Sequence, residues 1–273
     1  MNRMNERTKD PEQKMLTVPI RWTTLAELGV LSVFCLVLRP DALPFVSTSL
    51  SPRMQYLPQK TLWAWERPED LRAINPETTA IAWLDQTVLL GPEVISQPRR
   101  QSLSYPSNAT CIAVVRIETL PNAKLDTAEE QQTVNLLLKS ASRPGIAALQ
   151  VDFDATRSQR RFYSNLLRDL RRQMPSNLPL SITALASWCS YDDWIAALPI
   201  DEAVPMLFRM EPDRRRANAG FPEFRIREPL CMNSVGISTH ESWPEEMADK
   251  RIYIFADRGW REDLSLLTDR KLP

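Results

Sequence analysis

The chain has few of the residues on which nucleotide and metal chemistry depend. Only six of its 273 residues are glycine, and no two of them form a Gly-rich phosphate loop. His240 is the only histidine, which argues against a histidine-based metal site and a Ser-His-Asp triad. Lys plus Arg and Asp plus Glu number 34 each, so no basic nucleic-acid surface is indicated. We therefore expect neither a cofactor nor a nucleic-acid partner.

The longest apolar run is also short. It is LGVLSVFCLVL over Leu28–Leu38, and it follows a polar stretch that contains several Lys and Arg residues. A spanning helix needs roughly 20 apolar residues, whereas a signal-peptide core needs about 7 to 15. We predict a signal peptide or membrane anchor over residues 1–46, a linker over 47–60 and one folded domain over 61–273. A helix buried in the domain is the alternative for the apolar run.

Apolar segments of strand length recur along the domain. The eight candidates are Leu62–Trp65, Thr79–Leu84, Cys111–Ile117, Ile146–Phe153, Leu180–Leu185, Ala203–Phe208, Ser234–Ser238 and Arg251–Phe255. Helical periodicity occurs between several of them, at Thr127–Ser142, Ser158–Met174, Tyr191–Leu198 and Ser242–Lys250. Thr87–Ile95, in contrast, is typical of a hairpin. Alternating strands and helices predict a single (β/α)8 TIM-like barrel with a β-hairpin inserted after strand 2. A doubly wound open sheet with fewer strands is the alternative.

Two aspartates follow the fourth candidate strand, in IAALQVDFDAT. Because alternate residues of a strand share a face, Gln150, Asp152 and Asp154 lie on one side, opposite Val151 and Phe153. The carboxyl ends of barrel strands carry the active site in enzymes of this fold. We expect Asp154 to face the cleft and Asp152 to lie deeper, hydrogen-bonded to neighbouring strands, with Arg116 or Arg209 as the nearby cation.

Acidic and aromatic residues also follow the other candidate strands. Those with an expected ligand-binding role are Trp65, Asp85, Arg116, Gln150, Trp188, Arg209 and Glu241, and Asp257 follows the last strand. Aromatic faces stack on sugar rings, and carboxyl groups bond hydroxyls and transfer protons at a glycosidic oxygen. The combination favours a carbohydrate ligand. The D-x-D pair is also able to bind a hard cation, which is the one metal alternative.

Two resemblances extend this interpretation. ALQVDFDA with the helix after it resembles the fourth strand of chitinase-like TIM-barrel glycosidases, whose motif is D-G-x-D-x-D-x-E. Asp152 and Asp154 match its last two aspartates, while Thr156 stands at the position of the proton-donating Glu. LSITALASWCSYDDWIAALPIDEAVPMLFRM, with LCMNSVGISTHE, resembles a bacterial family known only as a domain of unknown function. That second resemblance covers about Leu62 to Trp260 and implies a barrel.

Two function classes remain open. In the first, the protein is an exported glycoside-hydrolase-like enzyme, with Asp154 and Asp152 as nucleophile or electrostatic support and Glu118, Glu66 or Glu241 as proton donor. In the second, the barrel binds a glycan or a partner protein without turnover. In both, the membrane is a partner only if the N-terminal segment stays uncleaved, with the domain in the periplasm, outside the cell or anchored to the inner membrane.

The cysteines allow a crosslink in an oxidising compartment. Cys189 and Cys231 both fall in loops at the carboxyl ends of strands, whereas Cys111 begins a strand at the opposite end. We expect a Cys189–Cys231 disulfide, with two free buried thiols as the alternative.

The N-terminal segment generates the first testable prediction. If it directs export, the domain should be recovered from the periplasm, the medium or the inner membrane, and a cleaved form should begin near Ser47. The measurement is N-terminal mass spectrometry of each cell fraction. Intact Met1 in the soluble cytoplasmic fraction would contradict export.

Overall fold

The computed structural model describes residues 51–208, 225–241, 243 and 249–269. The predicted signal or anchor segment, Arg209 and most of the predicted helix over 242–250 lie outside these ranges. In the described parts of the chain, no helix is long and apolar enough to span a membrane.

Eight parallel strands close into a barrel. The described part of the chain has eleven strands: β1 Lys60–Ala64, β2 Glu69–Asp70, β3 Thr79–Leu90, β4 Ile95–Pro98, β5 Leu103–Ser104, β6 Cys111–Thr119, β7 Ile146–Asp152, β8 Leu180–Leu185, β9 Glu202–Met206, β10 Ser234–Ser238 and β11 Arg251–Phe255. The barrel order is β1-β3-β6-β7-β8-β9-β10-β11, and β11 pairs with β1. Each of the eight predicted strands forms a barrel strand, which confirms the barrel.

Within the described residues, the helices are fewer than a regular (β/α)8 barrel requires. They are α1 Thr127–Ala141, α2 Arg160–Gln173, α3 Ala186–Ser190, α4 Trp260–Asp263 and α5 Leu266–Asp269. In the described residues, the connection from β1 to β3 has only β2, and the connection from β3 to β6 has β4 and β5. The described residues therefore do not confirm the regular helix alternation expected from the sequence, and they form a mixed α/β closed barrel.

The long β3 strand explains the second of these irregular connections, the one from β3 to β6. It continues to Leu90 and turns back into β4, which pairs with it antiparallel, so the predicted hairpin is present. The register shifts between Leu84 and Gln86, which leaves Asp85 at a bulge. A strand that extends beyond the barrel edge in this way occupies the place where a helix would otherwise begin.

Tyr191–Leu198 is the one predicted helix in the described residues that forms turns instead. The short α3 helix ends just before it. Trp194 packs edge-on against Trp188 with ring centroids 4.8 Å apart, and Arg160 binds Asp192 at 2.5 Å. These tertiary contacts fix the segment against α2, and they outweigh the weak helical preference of so short a run.

Residues 51–59, within the predicted linker, pack against the amino-terminal end of the barrel. Met54 and Leu57 are buried with interior residues of the barrel, including Ile112 and Tyr253. Arg251 donates hydrogen bonds to the carbonyls of Met54 and Leu57 at 2.6 and 3.3 Å. We call residues 51–59 the N-terminal plug, because they close this end of the barrel.

A buried ion pair lies directly above the N-terminal plug. Arg251 Nη1 binds Glu202 Oε1 at 3.0 Å, and both side chains are 2 % exposed. Tyr253 donates to Glu202 Oε2 at 2.7 Å, and Ser181 donates to the same oxygen at 3.1 Å. Both carboxylate oxygens of Glu202 therefore have hydrogen-bond partners. A buried carboxylate is tolerated when it is paired in this way.

Glu202→Leu tests this pair. The substitution leaves the Arg251 guanidinium buried without its carboxylate, so the free energy of unfolding should fall by about 3–5 kcal/mol. Urea unfolding is the measurement. The Glu202→Leu/Arg251→Met double variant should recover part of the loss, because neither partner is then left charged. Arg172→Ala, at the exposed Arg172–Asp169 pair, is the control and should change stability far less. A Glu202→Leu protein as stable as the wild type would contradict the assignment.

Candidate functional site

A cavity of about 680 Å³ opens at the carboxyl ends of the barrel strands. This volume is in the range of small-molecule sites. We call it the rim pocket. Its charged lining residues are Asp152, Asp154, Asp257, Arg67 and Arg116, its aromatic ones are Trp63, Trp65, Phe208 and Phe255, and Thr183, Leu185, Ala186, Ser187, Met206 and Ala256 complete it.

Of the two carboxylates Asp152 and Asp154, Asp152 is the one held by protein donors. It is the last residue of β7 and is buried, while its neighbours in the barrel reach it from both sides. Arg116 Nη1 on β6 donates to Oδ2 at 2.9 Å, and Thr183 Oγ1 on β8 donates to Oδ1 at 2.7 Å. Both oxygens are therefore held by neighbouring strands, as the sequence prediction has it.

Asp154 lies two residues further along the same face and is exposed to the rim pocket. Within the described residues, no group hydrogen-bonds to its carboxylate. Partial desolvation by the pocket walls raises the pKa of Asp154, and the negative charge of Asp152 raises it further, while Arg116 lowers it. Asp154 is thus the carboxyl group of the pair that is available to a ligand and to proton transfer.

A row of aromatic rings forms the wall opposite these carboxylates. Trp63 stacks between Trp65 and Phe255, with ring centroids 4.7 and 4.9 Å apart, and Phe208 lies 4.8 Å from Phe255. Trp65 is partly exposed, and the Arg116 guanidinium lies 5.2 Å from its ring centroid. The wall therefore places flat apolar faces beside the charged groups.

Asp257 and Arg67 form a second charged region of the rim pocket. Ser238 and the His240 backbone N–H donate to Asp257 Oδ2. Arg67 donates to Glu69 Oε1 at 2.7 Å and to the backbone carbonyls of Ala256 and Asp257. The sequence indicated Asp257, because it follows the last predicted strand as Asp154 follows the fourth predicted strand. The sequence did not indicate Arg67, because the position of that residue depends on the loop after β1.

The remaining predicted acids lie outside the lining of the rim pocket. Glu66 accepts the backbone N–H groups of Arg100 and Gln101, both at 3.0 Å, and so fixes the loop after β4. Glu118 binds Arg116 Nε at 2.7 Å. Asp85 is buried against α1, where it binds Ser140 and Arg143 at 2.6 and 2.7 Å. Glu241 is partly buried and does not line the pocket.

Three further predicted residues complete this account. Gln150 lies inside the barrel below the pocket, where it accepts from Trp63 Nε1 at 2.8 Å and donates to Ser181 at 3.2 Å. Trp188 is buried in the core outside the barrel. Arg209 lies outside the described residues. Of the predicted site residues, the structure thus brings together Trp65, Arg116, Asp152 and Asp154.

Thr156 stands at the position where the chitinase-like motif that the sequence resembles has its proton-donating Glu. Its backbone N–H donates to Gln159 Oε1 at 2.8 Å, and its hydroxyl lies 3.1 Å from that of Ser158. These contacts start the turn that leads into α2. The position therefore begins a helix and does not line the rim pocket.

Cys189 and Cys231, the pair expected from the sequence, are joined by a disulfide with Cα atoms 5.9 Å apart. The bond ties the end of α3 to the loop before β10. Cys111 is buried with a free thiol. Where side chains are described, no group of three or more His, Cys, Asp or Glu residues is arranged to hold a metal ion.

The geometry defines a closed parallel barrel with one aromatic and acidic pocket at its rim, and comparisons with known proteins add a family match. A family model described as "Domain of unknown function (DUF3142)" matches residues 108–209, a shorter range than the resemblance drawn from the sequence. No curated protein sequence matches the chain.

Comparison with solved structures gives a partial match. It is the structure of the Bacillus cereus spore cortex-lytic enzyme SleL, with 15 % sequence identity and a TM-score of 0.43. The similarity covers 66 % of this chain and 51 % of SleL, so the chain spans about half of that protein.

Asp152 and Asp154 should respond differently to removal. Asp152→Ala leaves Thr183 and Arg116 without their acceptor, so the free energy of unfolding should fall by about 1–3 kcal/mol. Asp154→Ala removes no hydrogen bond within the described residues and should leave the fold intact. Thermal and urea unfolding of both variants measure this. A loss of stability for Asp154→Ala but not for Asp152→Ala would contradict the assignment.

Proposed function

We propose that this protein is an exported, glycoside-hydrolase-like barrel whose rim pocket binds a sugar chain. The observation that carries the proposal is the joint presence of aromatic faces and carboxylates in one cavity at the carboxyl ends of the strands. Either feature alone is common on protein surfaces. Together they match the two parts of a sugar ring, its apolar C–H face and its hydroxyl edge.

Trp65 is the residue that we assign to the apolar face. It is partly exposed, Trp63 stacks on its ring at 4.7 Å, and the Arg116 guanidinium lies 5.2 Å from its ring centroid, so these neighbours hold the ring in place. A ring fixed in this way loses little side-chain freedom when it stacks on a ligand. Phe208 and Phe255 extend the same wall, so the pocket offers contact to more than one sugar unit.

The carboxyl groups support hydrolysis at this site. Glycosidases use one protonated carboxyl group as acid and a second, ionised one as nucleophile or base. The raised pKa of Asp154 favours the protonated form, so Asp154 is the acid in this proposal. Asp152, held by Arg116 and Thr183, supplies negative charge beside the developing oxocarbenium ion.

Binding without turnover is the second candidate, and Thr156 favours it. The side chain at this position starts a helix where the chitinase-like motif has its proton donor. The predicted donors Glu66 and Glu118 bind protein groups outside the pocket lining. In this case the same wall and carboxylates recognise a glycan without cleaving it.

Export rests on two observations. The apolar run over Leu28–Leu38 has the length of a signal-peptide core, and the disulfide between Cys189 and Cys231 suits an oxidising compartment. Glycans of the bacterial envelope would then be within reach of the rim pocket.

Trp65→Ala and Asp154→Asn test the two parts of the proposal. Against soluble fragments of bacterial envelope polysaccharides, Trp65→Ala should weaken binding at least about tenfold, because it removes the stacking face. Asp154→Asn should abolish turnover and retain binding to those fragments. Turnover by the wild type should be present at low pH and lost as the pH rises through the raised pKa of Asp154, since the acid must carry its proton.

The controls separate binding from catalysis. Tyr56→Ala removes an exposed aromatic ring at the N-terminal plug and should leave binding unchanged. Asp193→Asn removes an exposed carboxylate outside the pocket and should leave turnover unchanged. Binding that requires Trp65 without any release of sugar would select the second candidate. Failure of every glycan fragment to bind in a Trp65-dependent way would contradict the proposed function.

A further inference from the structure

The charges of the rim pocket are unequal. Among the described residues that line it, three carboxylates, Asp152, Asp154 and Asp257, face two guanidinium groups, Arg67 and Arg116. Two more carboxylates, Glu69 and Glu118, bind those guanidinium groups from outside the lining. The described part of the pocket and its supporting ion pairs therefore carry an excess of negative charge.

Both guanidinium groups already bind protein acceptors. The three nitrogens of Arg67 each bind a protein acceptor, namely Glu69 and the carbonyls of Asp257 and Ala256. Arg116 binds Glu118 and Asp152 through two of its nitrogens, and its guanidinium carbon lies 5.2 Å from the Trp65 ring centroid. A carboxylated or phosphorylated sugar would have to displace these contacts and would also approach three carboxylates.

The Asp154 carboxylate, in contrast to these guanidinium groups, has room for a ligand partner of positive charge. It is the lining carboxylate for which the described residues supply no hydrogen-bond donor, whereas Asp152 and Asp257 are each held by two protein donors. The pocket walls withdraw water from it, and Asp152 repels its charge. A cationic group of a ligand beside Asp154 would supply the hydrogen-bond donor that the described residues do not provide.

Resting on the glycan binding of the proposed function, with Asp154 ionised and therefore not acting as the acid, we infer that the sugar bound at the rim pocket carries a free amine, so that the ligand class is a de-N-acetylated amino-sugar chain. Its ammonium group binds the Asp154 carboxylate, and its ring stacks on Trp65. The aromatic wall contributes to this preference as well, because aromatic faces attract cations. Uronate chains and phosphorylated glycans are disfavoured by the same charges.

Calorimetric titration with four oligomers of matched length tests this inference. The probes are oligomers of glucosamine, N-acetylglucosamine, glucose and galacturonic acid at about pH 6, where an amine is protonated. The glucosamine oligomer should bind at least about tenfold more tightly than the N-acetylated one, as a hydrogen-bonded charge pair in a pocket allows. The galacturonic acid oligomer should show no binding, and added salt should reduce the preference.

Variants assign the preference to one carboxylate. Asp154→Asn should bring the ratio of the glucosamine to the N-acetylglucosamine affinity close to one, with little change in the affinity for the N-acetylated oligomer. Asp193→Asn removes the same charge outside the pocket and should leave the ratio unchanged. Trp65→Ala should weaken the binding of all sugars alike.

The outcomes separate this inference from the proposed function. Equal, Trp65-dependent binding of the glucosamine, N-acetylglucosamine and glucose oligomers would retain the glycan site and overturn the amine preference. A preference for glucosamine that survives Asp154→Asn would also overturn it. Absence of Trp65-dependent binding to every sugar would overturn the proposed function itself.

Discussion

The buried ion pair between Arg251 and Glu202 is the interaction on which the closed barrel depends. Arg251 begins β11 and Glu202 begins β9, and the same guanidinium group binds the carbonyls of the N-terminal plug. One side chain therefore fixes two strands and the chain segment that covers the end of the barrel. A pair this deeply buried costs much desolvation, and it is tolerated because both partners have further hydrogen-bond partners.

From this pair, hydrogen bonds continue through the barrel to the rim pocket. Glu202 accepts from Ser181, Ser181 accepts from Gln150, and Gln150 accepts from the indole of Trp63. Trp63 in turn stacks on Trp65, the exposed ring of the aromatic wall. The N-terminal plug at one end of the barrel and the aromatic wall at the other are thus connected by one continuous chain of hydrogen bonds and a ring stack.

The strands were predictable from the sequence because each is an apolar run of limited length, and the strand-end rule located Asp152, Asp154 and Arg116 correctly relative to one another. It failed for Asp85, because β3 continues past the barrel edge and a bulge turns that side chain toward α1. It also missed Arg67, whose place depends on carbonyls almost two hundred residues away in the chain. Sequence periodicity indicates which face of a strand a residue occupies. Contacts between residues far apart in the chain leave no such local pattern.

Gln150 and Asp152 of β7, with Asp154 two residues after its last residue, show how one segment separates roles by depth. Gln150 is fully enclosed and serves the internal network, Asp152 is buried beneath the rim and is satisfied by neighbouring strands, and Asp154 reaches the rim pocket without a protein donor among the described residues. Their spacing of two places them on one face, while the rise along the strand takes each into a wetter environment. Because position 156 is a threonine, Asp154 is the outermost carboxyl group of this segment, and the chemistry of the pocket depends on what that carboxyl group binds.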